Sequence, residues 1–341
     1  EKVLVNRRGC FACPIRCKPE VASGAPYNVD PTYGGPEYEA IGSFGSNCGI
    51  DDIEAVSKAN ELSNAYGLDV ISAGVSISFA MECFEKGILT EKDTGGIDLN
   101  FGNGQAMVQM VEMIARKEGL GAILADGVAR AAAAIGNGAE EFAMHANKQE
   151  FPMHSPRFRP GMGVGYAVSP TGADHCHNMW DNQFSQDTGR LKDLGIIEPL
   201  PTQELSPAKV RMLVYGHLWP HILNCLDFCS FVPLSSDRML DLIHGITGWK
   251  MSEWELNKVG ERCITMARVF NVRAGRIKSD DSLPGRFFTP FDTGPLEGVS
   301  LDEAAFNQAV STYYAMLGWD DEGRPTSAKL QELGVGWIVG T

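Results

Sequence analysis

The chain has 341 residues, of which 44% are hydrophobic and 21% are charged, and its net charge is −14. This composition is typical of a globular protein with one large domain or two of ordinary size. The acidic charge argues against nucleic acid as a partner, because phosphate binding needs clustered lysine and arginine. No apolar run reaches the roughly 20 residues of a membrane span, and the N-terminal segment lacks the apolar stretch of a signal peptide.

Helix signals recur along the chain. Asp51 and Asp52 precede apolar residues at helical spacing, and Gly67 follows them as a helix stop. Further helices are predicted at 69–87, 105–119, 124–136 and 302–318, with loops at 88–104, 135–165 and 273–300. Because alternating segments are scarce, we predict an all-α, multihelical fold with two helical domains, 1–145 and 146–341.

Three cysteines, Cys10, Cys13 and Cys17, stand in a tight C-x2-C-x3-C arrangement. Thiolates suit zinc or an iron–sulfur cluster, and a tight run with one distant cysteine is typical of the cluster. Zinc and three packed core cysteines remain as alternatives. The fourth ligand is sought in "NCLDFC", which offers Cys225 and Cys229. The odd number of cysteines, nine, favours a reducing and therefore cytoplasmic location.

Six motifs follow one another in a recognisable order: "CFACPIRC", "GGPEYEAIGSFGSNCGIDD", "NAYGLDVISAG", "FPMHSPR" with "YAVSPTGADH", "NCLDFC", and the closing "NVRAGRIKSDDSLPGRFF" with "YYAMLGWDDEGRPTSAKLQELG". Together they resemble the C-terminal helical part of the tungsten-containing aldehyde:ferredoxin oxidoreductases. The resemblance implies a 4Fe–4S cluster beside a tungsten (or molybdenum) bis-pterin. It also implies an N-terminal pterin-cradling domain that this chain lacks, so we expect that an upstream portion is missing.

The resemblance assigns the cluster ligands to Cys10, Cys13, Cys17 and Cys229, with Cys225 as the alternative fourth ligand. Cys48 could add a protein ligand to tungsten, as in the tungsten subunits of class II benzoyl-CoA reductases. The alternative is a buried cysteine at a turn.

Two pterin-contacting loops are implied by the resemblance. The first holds Asn64, Gly67, Leu68 and Asp69, with Asn64 in place of the usual Asp. In the second, three residues replace the family's Asp, Gly and Leu: Asn224, Asp227 and Phe228. An Asn can still pair with pterin amide edges as donor and acceptor. Arg157, in the "HSPR" segment, is a further expected cofactor contact.

Glu39, in "PEYE", matches the family's active-site glutamate, and His175, in "GADHCHN", matches its active-site histidine. A carboxylate could accept a proton as water attacks an aldehyde, and an imidazole could donate to the substrate carbonyl. His154 stands where some members carry a pocket tyrosine, and we place it in the pocket too.

The leading functional interpretation is oxidation of an aldehyde to a carboxylate, with electrons leaving through the 4Fe–4S cluster to ferredoxin or an electron-transfer subunit. Reduction of an aromatic CoA thioester is the alternative within the superfamily. A non-catalytic iron–sulfur or zinc-stabilised helical subunit is the alternative from another class. We expect a homo- or hetero-oligomer.

Overall fold

Helices dominate the regular structure of residues 2–339, which are the part of the chain that the computed structural model describes. The all-α prediction is confirmed, apart from two small hairpins. The chain divides into two compact units, the first ending at Met153 and the second beginning at His154. The sequence suggests a boundary after residue 145, which falls within β3 of the hairpin β3–β4, and this hairpin belongs to the first unit.

The first unit contains two short hairpins and six helices within its described residues. They are β1 Leu4–Arg8, β2 Lys18–Val21, α1 Tyr38–Ala40, α2 Ile53–Tyr66, α3 Val70–Glu85, α4 Gly104–Arg116, α5 Leu120–Leu124, α6 Val128–Ile135, β3 His145–Ala146 and β4 Gln149–Glu150.

Local capping explains where the main helices of this unit begin. The Asp52 carboxylate accepts from Glu54 N at 2.9 Å at the start of α2, and the Asn103 side chain accepts from Ala106 N at 3.1 Å at the start of α4. These bonds satisfy backbone donors that have no partner within the helix. Helix α3, apolar on most of its faces, is the central helix: Ile77 and Met81 are fully buried.

The second unit is built around a long helix, α8. Its helices are α7 Pro160–Val168, α8 Pro207–Cys225, α9 Ser236–Thr247, α10 Glu253–Arg273, α11 Glu303–Met316 and α12 Ser327–Glu332. Helices α7, α10 and α11 all pack against α8. A capping box, in which Ser252 and Glu255 bond each other's backbone amides, starts α10.

One loop prediction is wrong in part. The range 135–165 contains the β3–β4 hairpin and the start of α7, whose residues are all buried. The glycines of α7 have low helix propensity, but burial on every side stabilises the helix nonetheless. The loops predicted at 88–104 and 273–300 are irregular apart from short turns of 3-10 helix. Within residues 2–339, every helix is too short or too polar for a membrane span.

Candidate functional site

Glu39 lies in a helical segment of changing pitch. Helix α1 continues as a π-helix over Ile41–Gly45 and tightens to 3-10 geometry over Ser46–Cys48. The half-buried Glu39 accepts a hydrogen bond from Met153 N at Oε2, at 2.9 Å. Single π-turns are frequent at functional sites, because they reorient side chains that a regular helix would space evenly.

Glu37 and Glu39 have different surroundings, although they are two residues apart. The Glu37 side chain is 51% exposed and lies 3.9 Å from Lys18 Nζ. Tyr38 is also exposed, and its hydroxyl donates to Met153 O at 3.0 Å. Glu39 is therefore the carboxylate whose position the fold fixes.

Cys48 is fully buried in the core of the first unit. Its thiol donates to Ser43 O at 3.3 Å, and Gly74 O lies 3.7 Å from Sγ. Burial raises the pKa of this thiol to about 12. In these surroundings Cys48 is a buried, hydrogen-bonded cysteine at a turn.

The first predicted pterin loop joins α2 to α3. Gly67 ends α2 with a left-handed backbone, φ +70°, and Leu68 N donates to Ser63 O at 2.8 Å. Asp69 caps α3 by accepting from the amides of Ile71 and Ser72 at 3.2 and 3.3 Å. Asn64 is exposed, and its amide donates to Tyr33 O at 2.8 Å. Three of the four predicted contacts, Asn64, Gly67 and Asp69, thus lie at one exposed helix junction.

The second predicted pterin loop ends α8 in the same way. Asp227 has φ +55°, and Phe228 N donates to Leu223 O at 2.8 Å. Asn224 is exposed and donates to Pro220 O at 2.9 Å. An Asp tolerates the left-handed region better than most residues, so it can stand where the family pattern has Gly.

The two cysteines of this second loop differ in their partners. Cys225, at the end of α8, lies close enough to Cys263 of α10 to affect the ionisation of that thiol. Burial, reinforced by Cys225, raises the pKa of Cys263 to about 11. Cys229 is exposed, and its carbonyl accepts from Val232 N at 3.2 Å in a turn. Both thiols are exposed, and they differ in that Cys225 lies beside Cys263.

Two of the predicted catalytic residues meet within the second unit. The rings of His154 and His175 have centroids 5.2 Å apart, and both rings contact Trp180, at 4.5 and 5.8 Å. The Arg159 guanidinium lies over Trp180 and contacts His154 Nδ1 at 3.1 Å. Because arginine can only donate, Nδ1 of His154 accepts and the ring proton is on Nε2. Trp180 and Arg159 gave no recognisable signal in the sequence.

Asp174 and His177 flank His175 and pair with each other. The Asp174 carboxylate accepts from His177 Nδ1 and from Cys176 N, the latter at 2.7 Å. Burial alone would raise the pKa of Asp174, but the hydrogen bond from His177 and its electrostatic effect, with smaller contributions from Cys176 N and His175, outweigh burial and lower the pKa to about 2. Asp174 is therefore an anion that holds the His175 loop.

Two buried histidines of α8 extend this polar network. His221 Nδ1 donates to His217 O at 2.8 Å, and its ring centroid is 5.0 Å from that of His177. His217 Nε2 donates to Asn178 Oδ1 at 2.8 Å, and Nδ1 lies 3.1 Å from the Tyr313 hydroxyl, which donates to it. Burial lowers the pKa of His221 to about 4 and that of His217 well below its usual value. Both rings are thus neutral near pH 7.

The start of the His175 loop is anchored by the end of α10 and the segment after it. Arg276 donates to Ala167 O and Ser169 O, at 2.5 and 2.6 Å, where α7 ends. Asn271 donates to Pro170 O at 2.7 Å. Arg276 itself is held by Asp281, at 2.7 Å between Nη2 and Oδ1. This buried network fixes the backbone just before His175.

Arg157 is buried between aromatic rings of the second unit. Its guanidinium lies 4.0 Å from the Phe291 centroid and 5.9 Å from that of Phe287, and Nη2 donates to Arg286 O. Burial, then Arg286, lowers the pKa of Arg157, against the opposing effect of Asp292. Nε of Arg157 is buried without a hydrogen-bond partner among residues 2–339, so one donor remains for a further group.

The C-x2-C-x3-C segment is the exposed loop of the hairpin β1–β2. Cys10 is exposed, and Cys13 and Cys17 are half-buried. Cys13 N donates to Cys10 O at 3.0 Å, and the residues before Cys13 and Cys17, Ala12 and Arg16, have φ +55° and +50°. The three cysteines thus lie outside the buried core of the described residues, which disfavours the alternative of three packed core cysteines.

Comparison with known proteins identifies the family. The profile described as aldehyde ferredoxin oxidoreductase, domains 2 and 3, matches residues 1–335. The chain belongs to the aldehyde ferredoxin oxidoreductase family. A tungsten-containing aldehyde ferredoxin oxidoreductase of Pyrococcus horikoshii is 34% identical over 344 residues, covering 98% of this chain and 53% of the relative. The chain thus spans about half the length of the curated relatives that it matches.

Two further similarities are more distant. An aliphatic sulfonate oxidoreductase, WOR-like subunit, of Pyrococcus furiosus is 29% identical over 96% of this chain and 50% of its own length. The structure of the active-site complex BamBC of benzoyl coenzyme A reductase with 1,5-dienoyl-CoA matches with a TM-score of 0.78 at 21% identity, over 99% of this chain and 54% of that one. This second likeness concerns the fold.

The three thiols of the hairpin loop are not gathered into the geometry of a tetrahedral zinc site. A tetrahedral zinc site, with Zn–S bonds of about 2.3 Å, needs sulfur atoms about 4 Å apart. Among the described residues, the groups whose ligand atoms all lie within 4.8 Å of one another do not include Cys10, Cys13 and Cys17.

Proposed function

We propose that the chain is the helical part of a tungsten–pterin oxidoreductase that oxidises an aldehyde to a carboxylate and passes the electrons through a 4Fe–4S cluster to ferredoxin. The observation that carries the proposal is that this family member keeps three exposed or half-buried thiols, a positioned glutamate and a positioned histidine: Cys10, Cys13, Cys17, Glu39 and His175.

The residues that would hold the cofactors come from the loops described above. Cys10, Cys13, Cys17 and Cys229 would ligate the cluster. The two helix ends at Gly67 and Asp227 would contact the pterins through exposed side chains and backbone, and Arg157 Nε would offer a buried donor. When bound, the tungsten–pterin group would supply two-electron redox chemistry and the cluster would supply single-electron transfer.

Glu39 would act as the proton acceptor when water attacks the aldehyde carbon. Its Oε2 is oriented by Met153 N at 2.9 Å, so the carboxylate is held rather than free to rotate into solvent. A fixed carboxylate avoids the entropy cost of positioning the base in each turnover.

His175 would donate a hydrogen bond to the substrate carbonyl. Its ring lies beside Trp180 and His154, and the loop that carries it is tied down by Asp174 and by Arg276. An imidazole in such a partly dry environment is a stronger donor to a developing negative charge than one in water. His154, whose Nδ1 contacts Arg159, would orient this ring through the Trp180 contact.

Reduction of an aromatic CoA thioester is the second candidate function, and oxidation at an aliphatic sulfonate, suggested by the name of one relative, is a third. The thioester alternative rested on Cys48 as a possible tungsten ligand and on the altered residues of the second pterin loop. Cys48 is buried and hydrogen-bonded, and the second loop keeps the backbone of the first. The geometry therefore favours the aldehyde.

The decisive experiment uses the full-length polypeptide, purified without oxygen. Its W, Mo, Fe and Zn contents are measured, and reduction of a viologen dye is then followed with aldehydes, an aliphatic sulfonate and an aromatic dienoyl-CoA. We expect about four Fe and one W per chain, with turnover on aldehydes. Zinc, or iron without W or Mo, would leave a structural or electron-carrying helical protein. Turnover of the thioester or of the sulfonate, without turnover of aldehydes, would contradict aldehyde oxidation and support the corresponding alternative.

A further inference from the structure

The hairpin that presents the cysteines is basic, although the chain as a whole is acidic. Residues 2–18 contain five cations and no carboxylate, in a chain of net charge −14. All five are exposed: Lys2, Arg7, Arg8, Arg16 and Lys18. The charge of the cysteine segment is thus opposite to that of the rest of the protein.

Part of this positive charge is used within the protein: Lys2 pairs with Glu54 at 2.8 Å, and Arg16 donates to Arg7 O at 2.6 Å. Arg8 and Lys18 are directly opposed in the antiparallel pairing of β1 and β2, and like charges in that position are destabilising. Arg8 is neutralised by Glu20, at 2.5 Å, whereas Lys18 is 3.9 Å from Glu37. Across residues 2–339, Arg7 forms no ion pair with a carboxylate. Arg7 and Lys18 are therefore cations of the hairpin whose charge no close carboxylate compensates, and they remain available to an acidic partner.

Apolar side chains are exposed within the same cationic segment. Phe11, between Cys10 and Cys13, is fully exposed, and Val5 and Ile15 are 59% and 41% exposed. Apolar residues surrounded by charges are the usual composition of a protein–protein interface. The three thiols, one exposed and two half-buried, lie in the same loop, so a partner seated here would lie close to any cluster they ligate.

We propose that this basic hairpin, residues 2–18, is the docking surface for a small acidic electron-carrier protein of the ferredoxin class. The inference rests on the proposed function, because it assumes a cluster at the cysteines. Charge complementarity selects an acidic partner, raises the rate of encounter, and is reduced by salt. An electron carrier must dissociate after each transfer, so its complex has to be short-lived. A small interface around the exposed Phe11 is of the kind found in such transient complexes.

Nucleic acid and a membrane surface fit these features less well. Five cations on a chain of net charge −14 are too few to overcome repulsion between the rest of the chain and a polyanion. An anionic membrane surface would repel the same carboxylates. A second copy of this acidic chain is the remaining competitor, and it is distinguished by measuring self-association.

The test measures binding, in the absence of aldehyde, between the full-length oxidised protein and a purified acidic ferredoxin at increasing salt. The variant is R7E/K18E, and the matched control is K86E/K92E, which makes the same charge change at two exposed lysines of the first unit outside the hairpin. We expect the dissociation constant of R7E/K18E to rise about tenfold at low salt, with a shallower dependence on salt, and that of the control to stay unchanged. F11S should weaken binding without altering the salt dependence.

Iron content separates a docking effect from damage to the cluster loop. If R7E/K18E loses iron, binding is compared instead between the single variant R7E and its control K86E. The proposal is overturned if wild type and R7E/K18E bind the ferredoxin with equal affinity, or if the control weakens binding as much as R7E/K18E does. It is also overturned if the protein binds anionic vesicles more strongly than the ferredoxin, or if it self-associates and R7E/K18E abolishes that self-association. Because no aldehyde is present, failure of aldehyde oxidation would not affect this result.

Discussion

Gly67 and Asp227 occupy the same position at the ends of two helices, although their side chains differ. Both have left-handed backbones, with φ +70° and +55°, and the next residue donates its amide to a carbonyl five residues earlier, at 2.8 Å in each case. The loop geometry is therefore set by the backbone conformation, which glycine adopts without strain and aspartate adopts at a modest cost.

The first prediction tests that equivalence. Gly67→Ala should lower the free energy of unfolding by about 1 kcal/mol, because a Cβ is strained at this φ, and Asp227→Gly should raise it by about 0.5 kcal/mol. Thermal unfolding of the purified full-length protein measures both changes. Asp227→Ala is the control and should be destabilising. If Gly67→Ala left the free energy of unfolding unchanged, the left-handed backbone would not be what determines the stability of these loops.

The second prediction separates the two glutamates of the "PEYE" segment. Glu39→Gln should lower kcat by about 10²- to 10⁴-fold with tungsten content unchanged, because an amide cannot accept the proton. Glu37→Gln, at the exposed neighbour beside Lys18, is the matched control and should retain activity. A loss of activity in Glu37→Gln alone would show that Glu37, and not Glu39, is the proton acceptor.

The third prediction concerns Cys48. Cys48→Ala should leave tungsten content and aldehyde turnover unchanged, and should lower the free energy of unfolding by about 1–2 kcal/mol through the small cavity in the core. Metal analysis and thermal unfolding of the variant give both quantities. Loss of tungsten at unchanged iron content would show that Cys48 ligates the metal after all.

The fourth prediction distinguishes the candidate fourth cluster ligands. Cys229→Ser should lower iron content and the visible absorbance of the cluster, whereas Cys225→Ser, at the thiol that lies beside Cys263, should keep both. Both variants change one thiol of the same loop, so each controls for the other. Iron loss in Cys225→Ser alone would exchange the two assignments.

The fifth prediction follows from the buried His221. Its pKa in the folded protein, about 4, is below the usual 6.5, so the unfolded chain takes up a proton first as the pH falls. The stability is therefore complete above pH 6.5 and is lost toward pH 4, by up to about 3 kcal/mol. The groups that face this ring are His217, His177 and Asp174.

His221→Gln keeps a donor for His217 O but cannot be protonated in this range. We expect a smaller fall in unfolding temperature between pH 6.5 and 4 than in the wild type, whereas His244→Gln, at an exposed position of α9, should behave like the wild type. An identical fall in wild type and His221→Gln would assign the acid sensitivity to other groups.

Some of this protein could be determined from the sequence by itself. Helices α2, α3, α4 and α11 were predicted because their caps and apolar spacing are local signals, as with Asp302, which accepts from Ala305 N at 2.8 Å. The C-x2-C-x3-C segment was visible for the same reason, since three of the proposed cluster ligands lie within eight residues. Ordered motifs also identified the family.

Only the tertiary structure decided the rest, because it depends on contacts between residues far apart in the chain. Burial makes α7 a helix despite its glycines, and core packing leaves Cys48 as a hydrogen-bonded thiol. The same applies to the setting of His175: Trp180 reaches it through a folded loop, and Arg276 reaches the start of that loop from more than 100 residues away. Local sequence patterns carry no information about such pairings, since they form only when helices pack.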